Sequence, residues 1–214
     1  IYLTIVVDEG VIYTVKGVDI VGKTIVPRSE LLQKVDIQPG SIFSRKAVMD
    51  GEKTISDALG AKGYIFTTVT MQPKIDDVNH QVYLTYVVKP GKRAYLHQVH
   101  FIDNTKTNDD TLRREIQQME GAPVSTVKLE ESKHRLSLLP YIRNVDMSVE
   151  PVPGTDDNVD VNYKVTEDNA AQATFSLGYS QLDHFILGAG LNQKNFLGTG
   201  ETLGLNFSRS RYQQ

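Results

Sequence analysis

The chain has 214 residues, 40% of them hydrophobic and 23% charged, with a formal net charge of −3 and no cysteine. That length holds one or two ordinary domains, and the composition is that of a folded protein, not of a disordered chain or a helical membrane bundle. A pI near 6.0 argues against the concentrated basic surface that nucleic acid requires, and without cysteine there is neither a disulfide nor a thiolate metal site.

Ile1-Tyr2-Leu3-Thr4-Ile5-Val6-Val7-Asp8-Glu9-Gly10 resembles Val82-Tyr83-Leu84-Thr85-Tyr86-Val87-Val88-Lys89-Pro90-Gly91. Residues 1–10 are therefore expected to be the last strand of an earlier repeat, so that the chain begins inside a longer protein. Ile1 to Val7 is too short, and lacks the basic leader, to be a signal peptide. No run reaches the roughly 20 apolar residues of a membrane-spanning helix.

A repeat follows. Val18, Leu31, Val35, Gly40, Phe43, Val48 and Ile55 lie 81 residues before Val99, Leu112, Ile116, Gly121, Val124, Leu129 and Leu136. After a shortened turn the offset becomes 77, matching Tyr64, Val82, Leu84, Tyr86 and Val88 to Tyr141, Val159, Val161, Tyr163 and Val165. The hydrophobic period passes from two to about 3.6 and back, which predicts β-α-α-β-β units at 11–92 and 93–169, each with two helices on one face of a three-stranded sheet.

In the second copy Val99 and Phe101 mark a first strand. Leu112, Ile116 and Met119 are spaced along one side of a helix that Gly121 ends. Ser125 is placed to cap a second helix carrying Leu129, Leu136 and Leu139, which Pro140 stops. Two strands, 142–150 and 158–166, then flank a turn-rich stretch at 151–157.

From Ala173 small or polar residues alternate with apolar ones. Ala173, Phe175, Leu177 and Tyr179 point one way and Thr174, Ser176, Gly178 and Ser180 the other. Phe185 to Asn192 and Leu203 to Ser208 repeat the alternation. The same pattern suits a soluble sheet with one buried face and a transmembrane barrel strand. Three strands close no barrel, so the barrel reading expects a truncated domain at 170–214. Short and longer turns are expected near Asp183-His184 and through Asn195 to Gly200.

Leu112-Arg113-Arg114-Glu115-Ile116-Gln117-Gln118-Met119-Glu120-Gly121, Val152-Pro153-Gly154 with Val159 to Val165, and Asn195-Phe196-Leu197-Gly198-Thr199-Gly200 together resemble the outer-membrane β-barrel assembly factors of the Omp-eighty-five superfamily. The resemblance spans nearly the whole chain. It implies an α+β protein: two tandem POTRA domains of β-α-α-β-β form, the fourth and fifth of the family, then the antiparallel β-strands of a truncated transmembrane β-barrel. Pro140 departs from the glycine usual in the family, which Gly63 supplies in the first copy.

The resemblance also implies a function: folding and inserting β-barrel precursors into the outer membrane, with the POTRA domains in the periplasm. A related transporter that secretes an unfolded passenger is the alternative. The implied partners are periplasmic lipoproteins of the assembly complex, unfolded precursors and outer-membrane lipid. Arg113, Arg114 and Glu120 match the charged face that docks a lipoprotein; by themselves they also fit a solvated helix face. By the family topology the edge strands, carrying Ile65 and Val69 in one copy and Ile142, Val145 and Met147 in the other, would pair with extended peptides or be capped or solvated. Ala173, Phe175, Leu177 and Tyr179 would form one side of a weakly paired barrel seam.

No catalytic constellation is present: there is no Gly-x-Ser-x-Gly elbow and no phosphate-binding loop. The chain is expected to be no enzyme, with neither cofactor nor metal. His97 and His100, three apart on a strand, are expected to project to opposite faces. Asp76-Asp77 and Asp156-Asp157 fall where aspartate favours turns.

Overall fold

In a computed structural model the described residues are 11–169, 171–180 and 184–210. The strand expected at 1–10 lies outside them, as does most of the turn expected at Asp183-His184. Two compact units emerge, one holding residues 11–95 and 123–127, the other 96–122 and the described residues from 128 onward.

The first unit contains β1 (Thr14–Gly22), α1 (Arg28–Lys34), α2 (Arg45–Gly60), β2 (Thr68–Asp76) and β3 (Gln81–Lys89). Ser44 starts α2, its hydroxyl accepting the Ala47 N–H at 3.3 Å, and Val48, Ile55 and Leu59 form the helix's buried stripe. The sheet order is β1-β3-β2, with β3 parallel to β1 and antiparallel to β2. Because β3 is central, Val82, Leu84, Tyr86 and Val88 can all turn towards the helices, and all four are buried. They meet Ile20, Leu31, Val35, Val48, Ile55 and Leu59 in one core.

The second unit repeats the plan with β4 (Tyr95–Ile102), α3 (Asp109–Arg113), α4 (Thr126–Ser137), β5 (Ile142–Pro151) and β6 (Asn158–Glu167). Its sheet order is β4-β6-β5, β6 being antiparallel to β5. Val99, Leu112, Leu129, Leu136, Val161 and Tyr163 are buried as the period requires, while Phe101 and Ile116 are half-buried. The repeat extends to single hydrogen bonds. Tyr86 donates its hydroxyl to the Val48 carbonyl at 3.1 Å, and Tyr163 donates to that of Leu129 at 3.2 Å. Burial pushes both phenols up to about 12.

One expectation is corrected. The first helix of the second copy does not run to Gly121 but stops at Arg113, and Met119 is 74% exposed. Side chains from elsewhere pull the following backbone out of the helix. The Ser132 hydroxyl takes the Gln117 N–H at 2.8 Å, and the Glu120 carboxylate is held on β4.

The remaining strands, β7 (Ala171–Ser180), β8 (His184–Gln193) and β9 (Leu203–Ser210), form an antiparallel sheet in the order β7-β8-β9. Its register sets Phe175 opposite Ala189 and that in turn opposite Phe207, and Ala173 opposite Leu191 and then Leu205. One face is therefore apolar. The other carries Thr174 beside Gly190 and Asn206, and Ser176 beside Gly188 and Ser208.

Candidate interaction surfaces

The two strands expected to offer free edges, β2 and β5, are both at edges. Ile65 is not on β2, however. The Thr67 hydroxyl donates to the Tyr64 carbonyl at 2.6 Å, closing a turn that delays the strand to Thr68. Val69 is on β2, but its side chain packs against the core. The free edge is also obstructed: Glu52 of α2 accepts the Met71 N–H at 2.8 Å. By the alternation of a strand, Pro73 should turn to the same side, and it has no N–H to offer.

On β5, Val145 pairs with Val165 as Val69 pairs with Val88. Val145, Met147 and Val149 therefore take the places of Val69, Met71 and Pro73, and their main-chain groups turn to the free edge. The residue matching Glu52 is Lys133, an ammonium that cannot accept an N–H. Among the described residues no side chain caps these three positions. Ile142 and Val145 bury their side chains and Met147 half-buries its own, leaving backbone as what this edge presents.

Arg113 and Glu120 are brought together, and both are bound to β4. Arg113 Nη1 donates to Glu120 Oε1 at 2.9 Å and Nη2 to the Val99 carbonyl at 3.1 Å. The same Glu120 oxygen accepts the Val99 N–H at 2.9 Å. The guanidinium lies 5.7 Å from the Phe101 ring centroid, and that ring stacks on Tyr163 at 6.2 Å. The Val99 N–H, aided by Arg113, holds Glu120 below the usual carboxylate range despite partial burial. Arg114 is exposed and is not part of this pair, while Glu115 pairs with Arg135 at 3.0 Å. Val99 and Phe101 were legible as residues of the first strand, but nothing local marked them as the seat of this ion pair.

His97 and His100 do not project to opposite faces. Buried Leu96 and Val99 are separated by two exposed residues, so the alternation is broken between them. Both imidazoles reach Asp160, at 2.9 Å from His97 Nδ1 and 3.8 Å from His100 Nε2. No group of three or more potential ligands among the described residues is arranged to hold a metal. Asp76 closes its turn by accepting from the Asn79 N–H and side-chain amide.

Across β7–β9 the apolar face is open. Phe175 is 84% exposed, Leu177 73% and Phe207 72%, and Leu187, Leu191, Leu203 and Leu205 are exposed to a lesser degree, between 42% and 58%. Ala173 lies on the same face; the Tyr179 side chain is outside the described residues. Such a contiguous apolar patch is rare on a water-facing surface.

The longer turn, between β8 and β9, lies against the second β-α-α-β-β domain. Asn195 Nδ2 donates to Thr107 Oγ1 at 2.8 Å. The Gly198 carbonyl accepts from the Asn108 N–H at 3.1 Å and from Thr111 Oγ1 at 2.8 Å. Glu167, the last residue of β6, accepts from Lys106 N–H at 2.9 Å and from Thr107 N–H and Oγ1 at 2.8 and 2.6 Å. Burial acts to raise the Glu167 carboxyl, but these bonds outweigh it and hold the group below the ordinary range. Neither Thr107 nor Glu167 stood out in the sequence.

The family model that matches is POTRA, described as surface antigen variable number repeat, over residues 13–91 and 94–168. The outer membrane protein assembly factor BamA of Neisseria meningitidis is 34% identical over 210 residues, covering 98% of this chain and 26% of the relative. That of Buchnera aphidicola is 27% identical over 213 residues, covering 99% and 34%. The chain thus spans about a quarter to a third of these relatives. The crystal structure of BamA from Haemophilus ducreyi lacking POTRA domains 1–3 aligns with a TM-score of 0.79 at 36% identity, covering 92% of this chain and 37% of that one. Haemophilus influenzae BamA POTRA3-5 aligns at 0.70 and 34%, covering 74% and 63%. Two successive matches, on two sheets with the same strand order and the same buried tyrosine bond, establish that this chain belongs to the POTRA family.

Proposed function

We propose that the chain is the membrane-proximal part of an outer-membrane protein assembly factor that folds and inserts β-barrel precursors. In this reading residues 1–10 end a preceding POTRA domain, 11–92 and 93–169 are two POTRA domains in the periplasm, and 170–214 begin a transmembrane β-barrel. The observation that carries it is the succession in one chain of two POTRA domains and a sheet apolar on one exposed face and small or polar on the other. The relatives that match along nearly the whole chain carry the name outer membrane protein assembly factor.

Each surface then has a task. Outer-membrane lipid covers the apolar face of β7–β9, and β7 is one side of the seam at which precursor strands pair. Unfolded precursors add a strand along β5, where main-chain hydrogen bonding tolerates many side chains. Arg113, Arg114 and Glu120 dock a periplasmic lipoprotein. No catalytic step is needed, because burying apolar side chains in lipid and completing backbone pairing are themselves favourable.

The test is reconstitution of the full-length protein in phospholipid vesicles with a urea-unfolded barrel precursor. Appearance of the folded, heat-modifiable form should be at least about tenfold faster than in vesicles alone. Equal rates reject the proposal, and export of an unfolded passenger in place of insertion supports the transporter.

A further inference from the structure

The β8–β9 turn makes contacts that a simple connection does not need. Asn195 and Thr111 are each 7% exposed and Thr107 3%, so the Asn195 amide depends on Thr107 for its hydrogen bond and the Thr111 hydroxyl on the Gly198 carbonyl of the turn. Leu197 is held at φ 52°, a left-handed conformation costly for a leucine, with its carbonyl taken by Asn108 Nδ2 at 3.3 Å. Gly198 has no room for a side chain. A Cβ there would lie 2.6 Å from the Lys106 carbonyl.

The chain passes from Glu167 through three residues into β7, which pairs with β8, and β8 leads into this turn. The turn binds Thr107, and Thr107 binds Glu167. The three-stranded sheet is thus secured to the last POTRA domain at both ends of one closed circuit. A single covalent link would be a swivel; a second attachment removes rotation about it.

We infer that the β8–β9 turn is a fastening that makes the last POTRA domain and β7–β9 one mechanical body, with Asn195, Thr107 and Thr111 as positioning residues for β7. The consequence for the seam rests on the proposed function, whereas the fastening does not. Any partner that displaces this domain then carries the seam strand with it, unless the turn is first released.

The experiment uses the full-length protein in lipid nanodiscs, spin-labelled at Glu131→Cys on α4 and Phe207→Cys on β9 in a background without other cysteines. The parent should give one narrow distance distribution. Asn195→Ala with Thr111→Val, both removing bonds without adding bulk, should widen it about twofold and speed exchange of the Asn108 amide about tenfold. Gly198→Leu, which forces the turn off the domain, should do the same. Unchanged width and unchanged exchange in both variants overturn the fastening. Precursor insertion is measured in parallel. Release of the turn with insertion at the parent rate overturns the positioning role. A parent that inserts nothing, yet gives the narrow distribution and its loss, overturns only the proposed function.

Discussion

Gly51 lets α2 approach the sheet of the first domain closely. A Cβ there would lie 2.5 Å from the Tyr86 hydroxyl and 3.2 Å from Val35 Cγ1. Its absence lets α2 approach closely enough for Tyr86 to reach the Val48 carbonyl. Gly51→Ala should destabilise this domain by about 1 to 3 kcal/mol, the usual cost of overpacking, read from the urea midpoint. The second domain solves the same problem differently. Ser132 stands at the matching position, where its hydroxyl donates to Lys128 and accepts from Gln117. The aligned apolar residues were legible because burial dictates their spacing. This exchange was not, because its reason is the clearance between the Gly51 backbone and a side chain 35 residues away in one copy.

At the scale of elements, the edge strands differ in what occupies them. Glu120 is bonded to Val99 on β4, so Glu120→Lys should cost about 1 kcal/mol and, under the proposed docking role, weaken lipoprotein capture. Glu120→Gln keeps an acceptor and should retain more stability; capture by the Gln variant then isolates the part played by charge. Full capture by Glu120→Lys would exclude the docking role. On β5, Val149→Pro copies Pro73 of the first domain. Because that N–H faces the free edge, the melting temperature should fall by only a few degrees, while photo-crosslinking of an extended precursor peptide at Met147 should drop severalfold. Unchanged crosslinking would show that the peptide binds elsewhere. A proline inside an apparent strand was a readable warning about β2. The short α3 gave no such warning: Leu112, Ile116 and Met119 have helical spacing, and what ends the helix is the pull of Ser132 and Val99, both distant in sequence.

Across the whole second unit, Glu167 ties the end of β6 to the segment that holds the β8–β9 turn. A carboxyl held below its ordinary range contributes stability that is complete above its unfolded value, near 4.3, and is lost as pH falls through the folded value. Thr107 and Asn195 should therefore loosen together in acid. The measurement is the amide shifts of Lys106 and Thr107 against pH, which should titrate as one below the ordinary glutamate range and stay flat in Glu167→Gln. The six-residue stretch from Asn195 to Gly200 was conspicuous in the sequence, but its contact was not, since Thr107 lies 88 residues away. Alternation along β7–β9 was readable over the described side chains because a sheet with two unlike faces writes a period of two into its residues.

Tandem copies of one fold also compete with each other during synthesis, when a strand from the second can enter the unfinished sheet of the first. Glu52 and Pro73 close β2 against such an intruder, and Arg113 with Glu120 closes β4. Replacing these residues should therefore lower the yield of correctly sorted chains emerging from the ribosome even where the finished protein is nearly as stable.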